Sequence, residues 1–134
     1  MILDTHVLIW FVEGDERLGM RTRGDIEAAT APILISAITP WEIAMLAEKE
    51  RIALGQNVRS WIADVLTRDG ISLAALEPDI AVESTRLPGQ IHNDPADRII
   101  IATARHHAVP LLTVDKAILA YGATGHVNVV DARL

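Results

Sequence analysis

The chain reads as an α/β fold built on a parallel sheet of about four to five strands, and three observations carry that expectation. Short apolar runs alternate with longer stretches of helical periodicity, the pattern of strand–helix units rather than of hairpins. Half of the 134 residues are apolar and 22% are charged, which is enough for a buried core. No segment repeats at a fixed period and no tract rich in Gly, Ser or Pro divides the chain, so residues 1–134 read as one domain.

In order, Met1-Ile2-Leu3 is a short buried strand, followed by a helix from Thr5 to about Val12. Gly14-Asp15-Glu16 turns the chain into a helix over Met20 to Ala29. Ile33-Leu34-Ile35, bounded by Pro32 and Ser36, is the second strand. Thr39-Pro40-Trp41-Glu42 opens a helix reaching about Arg51, with Ile43, Leu46 and Ala47 on one face. Val58 to Arg68 is helical and is closed by Asp69-Gly70. Ile71 to Leu76 alternates as the third strand, and Pro78 to Arg86 is helical up to the break at Leu87-Pro88-Gly89. A long helix spans Pro95 to His107, and Leu111-Leu112-Thr113 is the fourth strand. Asp115 to Tyr121 makes a short helix before a last, edge strand over Val127 to Val130.

Composition excludes several function classes. There is no cysteine, hence no disulfide, thiolate metal site or cysteine nucleophile. Eighteen acids against twelve bases give a formal charge of −6, unlike a protein coated in positive charge for duplex DNA. Nucleic acid is still compatible with acids clustered around divalent cations, which neutralise them locally. The N-terminus lacks the pattern of a signal peptide, and the apolar stretch Val7 to Val12 is too short to span a bilayer. A cytoplasmic protein without membrane association is expected.

The acids fall in a pattern relative to these elements. Asp4 follows the first strand, Asp115 sits two residues past the fourth, and Glu42 and Asp97 each take the third position of a helix. In an open parallel sheet, such positions converge on the crevice beyond the strand carboxyl ends. Like charges packed together raise one another's pKa, and a hard divalent cation relieves the strain through oxygen ligands. Each acid has a structural reading too. Thr39-Pro40-Trp41-Glu42 fits a capping box with Thr39 as N-cap and Glu42 reaching back, and Asp94-Pro95-Ala96-Asp97 repeats that grammar with Asp94 as N-cap. Asp4 and Asp115 suit caps of the helices after them. All four acids at one end of one sheet is the signal.

Taken together, the stretches LDTHVLIWFVEGDERL (3–18), ISAITPWEIAMLAEKERIAL (35–54), LPGQIHNDPADRIIIATA (87–104) and PLLTVDKAILAYG (110–122) resemble the PIN-domain family, specifically the toxin nucleases of VapBC-type toxin–antitoxin modules. The resemblance covers nearly the whole chain. It implies a PIN-like α/β/α sandwich and an endoribonuclease dependent on Mg²⁺, or Mn²⁺ as substitute, that hydrolyses RNA with metal-activated water. It implies a metal-binding catalytic centre of Asp4, Glu42, Asp97 and Asp115, with Thr5 and Thr113 at positions where a hydroxyl supports the acids. It also implies a homodimer and inhibition by a cognate antitoxin. This chain departs from related toxins at Ala96, where a Phe is frequent, and at Asn93, where a basic residue is frequent.

Other residues compete for attention. Asp94 reads as a cap, with a supporting role at the metal as the alternative. Arg98 is poorly placed for the helix dipole, so a neighbouring carboxylate or an RNA phosphate is its expected partner. His106 and His107 suit a helix end, His6 lies near Asp4, and His92 and His126 read as loop residues. Trp10, Trp41 and Trp61 read as core or dimer-interface anchors, and Arg17, Arg21 and Arg23 as either an RNA-facing rim or a solvated helix face. Two rival readings remain. One is another Mg²⁺-dependent phosphotransfer enzyme on a doubly wound sheet, although His6 occupies the place of a phosphatase's second Asp. The other is a catalytically silent PIN-like binding module, which the intact acid set disfavours.

Overall fold

The computed structural model describes residues 1–134, and its centre is the shortest strand. β1 (Ile2–Leu3) lies between β2 (Ile33–Ser36) and β4 (Leu111–Thr113), with β3 (Ile71–Ala74) and β5 (Val129–Asp131) at the edges. All four pairings are parallel, as expected. Two residues suffice for β1 because its ladder continues into the flanking backbone. The Ile2 N–H donates to the Pro110 carbonyl at 2.9 Å, and the Asp4 N–H to the Leu112 carbonyl at 3.0 Å.

The period of two along each strand divides the core into two layers. Leu3, Ile33, Ile35 and Leu112 face one side, where α1 (Thr5–Glu13), α2 (Met20–Glu27), α3 (Thr39–Glu48) and α4 (Val58–Leu66) pack. Ile2, Leu34 and Leu111 face the other, under α5 (Pro78–Ser84), α6 (Pro95–His107) and α7 (Lys116–Gly122). Each buried Leu or Ile side chain contributes about 1.5–3 kcal/mol of burial energy, so a one-residue register slip is strongly disfavoured. The result is the expected α/β/α sandwich. No helix is long and apolar enough to cross a membrane.

Element ends differ from expectation by a few residues, for local reasons. α3 stops at Glu48 instead of Arg51, because Glu50 adopts a left-handed conformation with φ 56°. β5 begins at Val129, and Val127 before it is buried in the layer under α5, α6 and α7. Trp10 and Trp61 are buried, and the Trp61 indole N–H donates to Glu13 Oε1 at 2.8 Å. Trp41 is the exception: it is 55% exposed and anchors no core of this chain.

The capping box expected at Thr39 does not form. Ile38 is already helical (φ −80°, ψ −19°) and its carbonyl accepts the Glu42 N–H at 3.1 Å. The helix thus begins one residue early, which makes Glu42 its fourth residue and buries the Thr39 hydroxyl without a hydrogen-bond partner. Ser36 Oγ accepts the Ile38 N–H in its place. A buried hydroxyl with no partner carries its desolvation cost uncompensated. Thr39→Val is therefore expected to be neutral or to stabilise the fold by up to about 1 kcal/mol. Urea unfolding checks this, and a loss of more than about 1 kcal/mol would show that the hydroxyl is used.

A candidate acidic metal centre

The chain runs outward from β1 through β2 to β3, then returns to lay β4 on the opposite side of β1. A crevice opens at the carboxyl ends of β1 and β4, where this reversal occurs. Asp4 leaves β1 into it and Asp115 leaves β4 into it. Glu42 enters from the first turn of α3, and Asp97 from the first turn of α6. Ligand oxygens of Asp4, Glu42 and Asp97 lie within 4.8 Å of one another, and so do ligand atoms of His92, Asp97 and Asp115.

Two threonines tie this cluster together. Asp4 is 7% exposed; its Oδ1 accepts the Thr5 N–H at 2.8 Å and its Oδ2 accepts the Thr113 hydroxyl at 2.6 Å. Thr5 Oγ1 in turn donates to Glu42 Oε1 at 2.6 Å. The Asp115 N–H donates to Thr113 Oγ1 at 3.1 Å, while Asp115 Oδ1 caps α7 through the Ile118 N–H at 2.9 Å. Asp94 is the N-cap of α6, with its Oδ1 accepting the Asp97 N–H at 3.1 Å. Asp4, Asp94 and Asp115 thus cap helices and still stand at the crevice. Capping leaves the Asp97 side chain unoccupied by its own helix.

No lysine or arginine forms an ion pair with these acids. Burial pushes the Asp97 carboxyl up to about 8, and the charges of Asp4, Asp94, Asp115 and Glu42 push in the same direction. Burial raises Asp4, against hydrogen bonds from Thr113 and Thr5 that lower it. Burial also raises Glu42, opposed by the Thr5 hydroxyl and assisted by Asp4, Asp94 and Asp115. Such a cluster stores repulsion that a cation would relieve. Its donors are carboxylate oxygens on rigid strand ends and helix starts, which fits a hard divalent cation.

Two residues differ from their expected roles. Arg98 engages no carboxylate: its Nε donates to the Ser84 carbonyl at 2.8 Å, and Nη1 to the Ile91 and His92 carbonyls at 3.1 and 3.3 Å. It clamps the loop that leads into α6. His92, expected as an ordinary loop residue, lies at the site with Nε2 3.2 Å from Asp97 Oδ2. Its position two residues before the N-cap Asp94 was the available signal, since a side chain there can fold back on the first helical turn. His106 closes α6 as expected and pairs with Glu77 at 3.4 Å, away from the acids. Of the basic cluster, Arg17 pairs with Asp15 and covers the Trp10 ring. Arg23 donates to the Trp10, Phe11 and Asp15 carbonyls, where it suits the end of α1.

The chain is similar to known proteins along nearly its whole length. The family model described as PIN domain matches residues 1–123. Ribonuclease VapC22 of Mycobacterium tuberculosis is 35% identical over 121 residues, covering 90% of this chain and 91% of that protein. A toxin–antitoxin complex from Klebsiella pneumoniae superposes with a TM-score of 0.63 at 26% identity, covering 98% of this chain and 96% of that one. VapBC2 from Rickettsia felis, bound to a promoter DNA fragment, gives a TM-score of 0.66 at 13% identity, with 96% of each chain covered, a likeness of fold alone. On the family model that matches most of its length and the 35% identical relative, the chain belongs to the PIN domain family.

Proposed function

We propose that this chain is a metal-dependent endoribonuclease, the toxin of a type II toxin–antitoxin pair acting in the cytoplasm. The observation that carries the reading is the meeting of Asp4, Glu42 and Asp97 oxygens within 4.8 Å, with Asp115 close by and no lysine or arginine paired with them. The 35% identical ribonuclease supports RNA as the substrate, and the toxin–antitoxin neighbours support a cognate antitoxin as partner. We take the assembly to be a homodimer.

Bound among these carboxylates, Mg²⁺ or Mn²⁺ would supply the positive charge that stabilises a phosphodiester in transition and acidifies attacking water. The residues do the rest. Asp4, Glu42, Asp97 and Asp115 are the proposed ligands. The Thr113 and Thr5 hydroxyls hold Asp4 and Glu42 in single orientations, so little reorganisation is needed when a cation arrives. Burial of Asp4 keeps the floor of the site dry and strengthens every charge interaction above it. The less buried Asp115 lines the edge from which a polyanion would approach.

Purified protein incubated with a mixed RNA pool should cleave it with Mg²⁺ or Mn²⁺ and stop in EDTA. Cleavage that persists in EDTA would sink the proposal. So would release of phosphate from a small ester with RNA left intact, which is the behaviour of a phosphatase.

A further inference from the structure

His92 is the one nitrogen donor grouped with these acids, and its surroundings define what it can do. Its Nδ1 accepts the Asp94 N–H at 3.2 Å. A ring nitrogen that accepts carries no proton, so the hydrogen-bond network assigns the ring's N–H to Nε2, which faces Asp97 Oδ2 at 3.2 Å. The loop that leads to His92 is pinned by side chains of two helices. Arg98 donates to the carbonyls of Ile91 and His92, and the Tyr121 hydroxyl donates to the Pro88 carbonyl at 2.6 Å.

On the cation reading above, we propose that His92 is a positioning residue, whose Nε2–H fixes the Asp97 carboxylate for the cation without itself becoming a ligand. The Asp94 backbone amide sets the tautomer and Arg98 sets the loop. Asp94 thereby serves Asp97 twice: its side chain caps the Asp97 N–H, and its own N–H orients the imidazole that faces the carboxylate. A free carboxylate loses rotational freedom on binding a cation, and an imidazole N–H placed 3.2 Å from one oxygen restricts that freedom beforehand. Partners of this kind are worth about 10- to 100-fold in metal affinity.

The test uses Mn²⁺ alone as probe, followed by electron paramagnetic resonance on the wild type, His92→Ala and His92→Gln. The expected result is Mn²⁺ affinity about 10- to 100-fold weaker in His92→Ala. His92→Gln should largely restore it, because its amide N–H₂ reaches the place of Nε2. Spin-echo modulation of bound Mn²⁺ should show no ¹⁴N coupling that depends on His92. Affinity unchanged in His92→Ala overturns the positioning role alone. So does a ¹⁴N signal in the wild type that disappears in His92→Ala, since His92 would then be a direct ligand. A wild type that takes up no Mn²⁺ overturns the cation reading, and the role of His92 with it.

Discussion

Asp97→Asn is expected to abolish RNA cleavage and, in EDTA, to make the protein more stable than the wild type. A catalytic cation contributes several kcal/mol of transition-state stabilisation, and at about 1.4 kcal/mol per decade its loss costs at least about a thousandfold in rate. Stability moves the other way because Asp97 is half-buried among Asp4, Asp94, Asp115 and Glu42, and its carboxyl is pushed up to about 8. An amide keeps the shape and stays neutral without having to take up a proton, whereas the buried Asp97 must be held protonated at neutral pH against its ordinary value of 3.8. Avoiding part of that cost is expected to gain about 1–3 kcal/mol at neutral pH. Cleavage assays and thermal unfolding in EDTA check both halves. A variant that loses activity and stability together would mean that Asp97 holds the fold instead of a cation.

The second large effect is a fall in cation-free stability between acid and mildly alkaline pH. Asp97 has an ordinary value of 3.8 and a folded value of about 8. Between these values the native state binds more protons than the unfolded chain, so stability decreases as pH rises. The contribution is complete below the unfolded value and is lost as pH passes through about 8. Asp4 and Glu42 are raised as well and act with the same sign. Asp15, held at about 2 by Arg17, has the opposite sign, but its window lies in strong acid and does not overlap. The slope is at most about 1.4 kcal/mol per pH unit for each proton involved. In EDTA the unfolding midpoint should be lower at pH 8.5 than at pH 6, and saturating Mg²⁺ should restore most of the difference at pH 8.5. A flat profile in EDTA would show that the acids are not strained.

Much of the fold was legible because its signals are local. The apolar runs at Ile33 to Ile35 and Leu111 to Thr113 are strands as expected, and α6 spans Pro95–His107 as the Asp94-Pro95 start and the Val109-Pro110 stop imply. Thr39 shows the limit of the same grammar. A capping box there is correct by sequence pattern, yet Ile38 takes the cap position with its N–H bonded to Ser36 Oγ, and the helix starts one residue early. The shift frees Glu42 from its expected backbone partner and leaves it to the Thr5 hydroxyl.

By itself, then, the sequence determined which residues end strands and begin helices, and with that the four positions from which carboxylates could reach a shared crevice. Strand ends, caps and turns depend on neighbours a few residues away, and these are visible in one dimension. Only the tertiary structure decided what meets what. Thr113 holds Asp4 across 109 residues of chain because β4 lies beside β1, and no local signal encodes that adjacency. Likewise Arg98 found three carbonyls instead of an acid, and His92 found Asp97, because the loop before α6 folds back over its first turn.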